Sequence, residues 1–271
     1  IAVLTADTTI TVPVVVTAVA DAPTVPTTSS RGNEDTTFTF GNAITYALVD
    51  ADGSESISAV ALSGFQTGAA VGYTASGGAV VTLSSGTYTI TGTAADIRAT
   101  LSTFTYRAPA NGDSEDAINV AVTTTDTGGV TATTNGTHTI NVDAVADAPS
   151  VSGSGTGNED TAIPVPIVVA LNDTDGTETL SFVRVTTPAG TLGFTATAGV
   201  TATAITGGYE FTGVTAAIQT LLASINVTPP LNSDVDFALT VVARAIESNP
   251  NGDIAVLTAD TTITVPVVVT A

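Results

Sequence analysis

The sequence has no cysteine, tryptophan, methionine or lysine, and only one histidine, His138. Without cysteine there is no disulfide framework and no thiolate nucleophile or metal site. A lone histidine has no second member to recruit for a triad or an imidazole metal centre; in the middle of a predicted strand, His138 reads as a partly exposed strand residue. The only basic side chains are Arg31, Arg98, Arg107, Arg184 and Arg244, against 25 acidic residues, for a net charge of −20. A polyanion of this kind repels phosphates, which excludes nucleic acid as a partner, and it suits cations. Aromatics make up 5% of the chain, too few for a sugar platform, so the carboxylate pairs do not read as a glycosidase couple and the chain does not read as an enzyme. No apolar run reaches the roughly 18 residues that span a bilayer, so no membrane insertion is expected, and the first residues do not read as a secretion signal.

What is present is repetition. Ile1–Ala18 (IAVLTADTTITVPVVVTA) is identical to Ile254–Ala271, an offset of 253 residues. Self-similarity at that period reads as a window on a tandem array. A weaker repeat lies inside it. Val19-Ala-Asp21-Ala-Pro23 recurs as Val145-Ala-Asp147-Ala-Pro149, and Asn33-Glu34-Asp35-Thr36 as Asn158-Glu159-Asp160-Thr161. Asp50-Ala-Asp52-Gly53-Ser-Glu55 recurs as Asp173-Thr-Asp175-Gly176-Thr-Glu178, and the offsets stay between 121 and 126 in unchanged order. The division expected is a terminal hairpin of a preceding repeat (1–18), one repeat over 19–144 and a second over 145–271. The length allows two ordinary domains, and a hydrophobic fraction of 43% excludes simple disorder despite the charge.

Threonine, valine and isoleucine dominate, as in pleated, half-buried strands. Ile118, Val120 and Val122 alternate with Asn119 and Ala121 at the strand period. Thr131–Thr134, Asn135-Gly136 and Thr137–Val142 read as a hairpin with a two-residue turn. The matching hairpin is Ile254–Thr258, a turn near Ala259-Asp260, and Thr261–Val269. A short helix is expected in each repeat. Thr93-Ala-Ala-Asp96 has capping-box spacing, and Ile97/Leu101 and Ile218/Leu222 lie four apart on one face. Seven or so short strands per roughly 125 residues give an all-β fold of tandem immunoglobulin-like sandwiches, each with one short helix. A parallel β-helix is excluded by the long period and by the lack of a short Gly-Asp repeat. Threonine ladders such as Thr87/Thr89/Thr91 and Thr201/Thr203 read as ordinary solvent-facing sheet.

The acids cluster beside Gly, Asn and Pro, hence in loops, and the loops of a sandwich gather at its two ends. Convergent carboxylates with no lysine to balance them repel: even at an effective dielectric near 20, two unit charges about 4 Å apart cost about 4 kcal/mol. Calcium resolves this, because it takes about six to eight oxygens of the kind these loops supply, and it can replace the staples a cysteine-free extracellular domain lacks.

Asp143-Ala-Val-Ala-Asp147-Ala-Pro149 resembles the D-x-N-D-N-A-P linker of cadherins, with Val145, Ala146 and Asp147 in place of the central Asn-Asp-Asn. Together with Asn-Glu-Asp-Thr, D-x-D-G-x-E and Pro109-Ala-Asn-Gly-Asp-Ser-Glu115, it resembles the cadherin-like repeats of giant RTX-type bacterial surface adhesins exported by type I secretion. The resemblance implies calcium-rigidified extender repeats outside the bacterial cell, touching neighbouring repeats of the same protein. Carried over, Glu34, Asp52, Glu55, Asp113, Glu115, Asp126 and Asp147 become ligand candidates in the first repeat. Glu159, Asp175, Glu178, Asp234, Asp236 and Glu247 do so in the second. Their cluster neighbours Asp21, Asp50, Asp143 and Asp173 complete the set. The alternative is a self-assembling extracellular fibre or sheath, in which other copies of the chain pair through residues 1–18 by strand exchange.

Overall fold

A computed structural model describes residues 1–50, 52–173, 176–248 and 258–271. The first sandwich runs through β1 (Thr28–Asn33), β2 (Phe38–Thr39), β3 (Glu55–Ser63), β4 (Ala70–Gly72), β5 (Val80–Ser84) and β6 (Thr87–Thr91). Helix α1 (Ala94–Leu101), β7 (Thr105–Arg107), β8 (Asp116–Asp126) and β9 (Thr131–Asp143) complete it. The second runs through β10 (Ser150–Gly153), β11 (Gly155–Asn158), β12 (Ile163–Pro164), β13 (Ile167–Ala170), β14 (Glu178–Thr186) and β15 (Thr191–Gly193). It ends with β16 (Val200–Ile205), β17 (Gly208–Gly213), α2 (Thr215–Leu222), β18 (Asn226–Thr228), β19 (Phe237–Glu247) and β20 (Thr258–Thr270).

Both halves use one plan. The large sheets are ordered β1-β9-β8-β3-β6-β5 and β11-β20-β19-β14-β17-β16, and the small ones β2-β7-β4 and β12-β18-β15. The first strand of each large sheet pairs parallel to the last, β1 on β9 and β11 on β20. The register slips at the same place in both, between Ile57 and Ala59 and between Leu180 and Phe182. The fold is all-β, tandem immunoglobulin-like sandwiches with one short helix each, as the strand pattern predicts. Among the described residues, no helix is long and apolar enough to cross a membrane.

Each core fills the space between the two sheets and is closed by the helix. In the first, Phe40, Phe104 and Tyr106 pack edge-on among Val60, Ile90, Ile118 and Val122, with Ile97 and Leu101 of α1 buried beside them. The second core is largely aliphatic, with Val183, Leu239, Val241, Val265 and Val267 around Phe211, Ile218 and Leu222. The capping box forms at α1, where Thr93 Oγ1 accepts the Asp96 amide at 3.2 Å and donates to the Asp96 carboxylate at 2.8 Å. α2 begins after Val214, which has no side chain to do this.

Two expectations are corrected. Thr131–Asp143 is one continuous strand, not a hairpin, and Asn135 and Gly136 pair with Ala121 and Val120 of β8. Gly136 is required because Val25 lies over it: a Cβ there would stand 2.5 Å from Val25 Cγ1. The real turn is Asp126–Val130, closed by the Gly129 amide on the Asp126 carbonyl at 3.1 Å. Likewise Ala259 and Asp260 lie within β20, paired with Ala245 and Arg244; Ile254–Leu257 lie outside the described residues. Residues 1–22 carry no strand, and their apolar side chains are exposed. The second correction is His138, which is fully buried because β1 lies along β9 and covers it. Its Nδ1 is 2.7 Å from Thr28 Oγ1 and its Nε2 is 3.0 Å from Ser30 Oγ, with the Phe40 ring alongside.

Burial pushes the His138 pKa down to about 4. With a folded value below the unfolded 6.5, the unfolded chain binds the extra proton. The neutral ring's contribution is therefore complete above pH 6.5 and is lost as pH falls towards 4, on the order of 3 kcal/mol in all. The single imidazole proton signal in NMR should titrate with a midpoint well below pH 5. A midpoint near 6.5 would show that the ring reaches water.

Candidate cation sites

The acids that end the central strands are set face to face. β3 begins with Glu55 and β8 ends with Asp126, and antiparallel pairing makes them direct partners. β14 begins with Glu178 and β19 ends with Glu247, partners in the same way. All four are buried, between 3% and 7% exposed. Gly53 and Gly176, the glycines of the two D-x-D-G motifs just before this row, adopt φ of +86° and +99°, a conformation that favours glycine.

The motif's glutamate also holds the linker. Glu55 Oε1 accepts the Asp21 amide at 2.6 Å, and Glu178 Oε1 accepts the Asp147 amide at 2.8 Å. Glu178 Oε2 takes the Asp173 amide at 3.3 Å. Burial raises the Glu178 pKa; the amides of Asp147 and Asp173 oppose this, while the charges of the same two residues add to it. In the first sandwich Glu55 Oε2 and Asp126 Oδ2 are buried and accept no hydrogen bond from the described residues. Like charges directly opposed across a ladder repel, and a buried oxygen without a donor costs its lost hydration. The arginines are engaged elsewhere: Arg31 with Asp143, Arg107 with Asp35, Arg184 with Glu210, Arg244 with Asp260, and Arg98 over the Tyr46 ring.

The opposite end of the first sandwich meets the second. Glu34 is buried, and its carboxylate accepts the Val145 amide. Asp35 and Asp160 play a local role: they accept the Asn111 and Asn232 amides at 3.2 and 2.7 Å, and all four residues have positive φ. Asn111 then reaches across, donating to the Asp147 carboxylate at 3.0 Å and to the Asn172 carbonyl at 3.3 Å. Asn172 donates back to the Ala148 carbonyl at 2.7 Å. These two amides escape a search for charges; the signal for Asn111 was its place in Pro-Ala-Asn-Gly-Asp.

Among the other candidates, Asp113 and Asp173 are buried, Asp50, Asp147 and Glu159 are half-buried, and Asp21, Asp52, Glu115, Asp234 and Asp236 are exposed. Asp143 is buried against Arg31. Asp52 is turned onto its own loop, where the Ser54 hydroxyl, and then its amide, lower its pKa. Asp236 takes the Val269 amide at 2.7 Å. Asp175 lies outside the described residues. Among the described residues no three acidic, histidine or cysteine side chains are arranged closely enough to hold a metal ion. The geometry brings the ligand types together as opposed pairs, with the linker acids tied alongside by their backbone.

No family model matches the chain, and no curated protein does. Among solved structures it is similar to mouse cadherin-23 EC22-24, at 14% identity over 92% of this chain and 67% of that one, with a TM-score of 0.38. It is similar to protocadherin gamma C5 EC1-3, at 11% identity over 91% and 68% of the two chains, with a TM-score of 0.39. Human mucin-like protocadherin EC1-2 gives 12% identity over 92% and 98%, with a TM-score of 0.33. Superpositions this loose say nothing of function, and the fold class rests on the sheet order itself.

Replacing Asp126 by Asn keeps the oxygen that accepts the Val130 amide at 2.9 Å and removes one of two opposed charges. In EDTA, Asp126→Asn should raise stability by on the order of 1 kcal/mol in thermal or urea unfolding. A loss of stability there would mean that the pair does not repel.

Proposed function

We propose that the chain is a pair of spacer repeats, about 19–144 and 145–271, from a long bacterial cell-surface adhesin, stiffened by calcium and without catalytic activity. The observation that carries this is the buried pair Glu55 and Asp126, each with a carboxylate oxygen that lacks a donor among the described residues, at the foot of the linker that Glu55 itself anchors. Glu178 and Glu247 repeat the opposed, buried placement of the two carboxylates where the two sandwiches meet. The donor types are those a hard divalent cation takes, carboxylates on opposed strands with acids from the linker and the D-x-D loop within a few residues in sequence. Asp21, Asp50, Asp52, Glu55 and Asp126 would hold an ion at one end. At the junction the proposed set is Glu34, Asp113, Asp143, Asp147, Asp173, Asp175, Glu178 and Glu247, and Glu115, Glu159, Asp234 and Asp236 are proposed for the remaining loops. At the junction Arg31 already pairs with Asp143, and calcium supplies positive charge for the remaining acids.

The chain's own residues do the rest. Glu178 and Asn111 clamp Asp147 from the two sides of the junction, and Glu34 fixes Val145 just before it. With these contacts in place, neutralising the acids removes the main force driving the sandwiches apart. Placement outside the cell follows from the resemblance of the linker and loop motifs, and the bacterial adhesin from the same motifs.

Calcium should raise the melting temperature and increase the maximum dimension in solution scattering, with half-effect at roughly 10⁻⁴–10⁻³ M. The combined Glu55→Gln/Asp126→Asn and Glu178→Gln/Glu247→Gln chain should lose both responses while remaining folded. A wild-type chain indifferent to millimolar calcium in both measurements would end this reading.

A further inference from the structure

An asparagine followed by glycine is prone to lose its side-chain amide, because glycine has no Cβ to keep its backbone nitrogen away from the asparagine side chain. Two such pairs lie among the described residues, Asn111-Gly112 and Asn135-Gly136. The fold treats them differently. Asn135 and Gly136 lie inside β9, paired with Ala121 and Val120 of β8, and Val25 covers Gly136. The ladder keeps that backbone extended and out of reach of ring closure. Asn111 and Gly112 lie in the loop between β7 and β8, both half-buried, and the Gly112 amide makes no hydrogen bond among the described residues. The equivalent place in the second sandwich is guarded twice. Asn232 is followed by serine, and the Ser233 amide is tied to the Pro230 carbonyl at 3.2 Å.

The exposed pair also carries the amide that crosses the junction. Asn111 Nδ2 donates to the Asp147 carboxylate at 3.0 Å and to the Asn172 carbonyl at 3.3 Å. While those bonds hold, the side chain is not free to turn onto the Gly112 nitrogen; when the junction opens, it is.

We propose that Asn111 is a site of spontaneous deamidation whose rate is set by opening of the junction between the sandwiches. The Gly112 nitrogen attacks the Asn111 side-chain carbonyl carbon, and its proton passes to the departing nitrogen. A C–N bond forms, closing a cyclic imide, as the Cγ–Nδ2 bond breaks and ammonia leaves. Water then opens the imide. Attack at the side-chain carbonyl gives aspartate, and attack at the backbone carbonyl gives isoaspartate. The sum is one water taken up for one ammonia released, with nothing oxidised or reduced. Either product exchanges the bridging donor for a carboxylate. The new charge faces Asp147 and repels it, and the Asn172 carbonyl loses its donor. A junction that has opened long enough to lose the amide therefore closes less well, so the modification is a one-way record of opening. No cation enters the step. The inference stands apart from the spacer reading, and its test is run in EDTA so that the failures of the two are distinct.

The test ages the full chain at mildly alkaline pH and follows each asparagine-containing peptide by mass spectrometry. Asn111 should convert to acid and isoaspartate while Asn135 remains an amide. Asp147→Ala removes one acceptor and should speed the loss at Asn111 by about tenfold, leaving Asn135 unchanged. The consequence is read at the linker, where Ala144 and Ala146 are buried, so that elastase cuts there only when the linker opens. Asn111→Asp should raise cleavage within 143–149 by about tenfold. Asn232→Asp, which adds the same charge to the equivalent loop of the second sandwich, should not raise it. The aged unaltered chain should gain the same sensitivity in proportion to its conversion at Asn111, which needs no substitution to fold. If Asn111 persists as long as Asn135, or Asp147→Ala does not hasten its loss, the inference fails. Linker cleavage in the aged chain that does not follow conversion at Asn111 overturns it too.

Discussion

The constraint on which the ends of both sandwiches depend is the antiparallel pairing of their central strands. A ladder in which one strand starts where its neighbour stops puts the first residue of one opposite the last of the other. Here both are acids, in both sandwiches: Glu55 with Asp126, and Glu178 with Glu247. Their burial makes the juxtaposition costly in the absence of a cation. One oxygen of each glutamate is used to fix the linker amide. This couples the electrostatics of the strand ends to the linker, since whatever settles the charge of the pair also settles how firmly that glutamate holds Asp21 or Asp147.

The motif D-x-D-G-x-E thus does two jobs that sequence alone does not separate. Its glycine and first two acids shape a loop, with the Ser54 amide and hydroxyl bonded back to Asp52 and Asp50. Its glutamate is the residue that acts at a distance. The same division holds in Asn-Glu-Asp-Thr, where Asp35 and Asp160 tie down the neighbouring loop and Glu34 reaches the linker. Spacing identified the acids but gave them equal weight; only the three-dimensional register sorts the loop-formers from those aimed at the junction.

Alternation, turn residues and the internal repeat made the class of fold, the helices and the twofold plan legible. The failures have one cause, which is contact between distant parts of the chain. Asn135-Gly136 carries strong turn chemistry, but Gly136 is there to admit Val25 over the sheet, 111 residues away in sequence. His138 looked half-exposed because nothing near it in sequence reveals that β1 adds parallel to β9 and supplies two hydroxyls to its ring. Asn111 and Asn172 carry no charge themselves, so a pattern of acidic residues does not reveal that Asn111 donates across the junction to the Asp147 carboxylate and the Asn172 carbonyl.

His138 also bears on how an array of similar sandwiches keeps its strands apart. β9 and β20 hold equivalent places, and the inward row His138, Ile140, Val142 of one matches Val265, Val267, Val269 of the other. Were β9 to enter the neighbouring slot, its imidazole would arrive where Gly153 lies against Val265, with no side chain at that glycine to donate to either ring nitrogen. A buried imidazole without partners is a strong penalty against the wrong pairing. Adjacent sandwiches are therefore protected from exchanging their last strands by a polar residue in one and its absence in the other. Strands 253 residues apart carry no such mark, because they are the same strand. Discrimination built from sequence divergence ends where the sequence repeats without change.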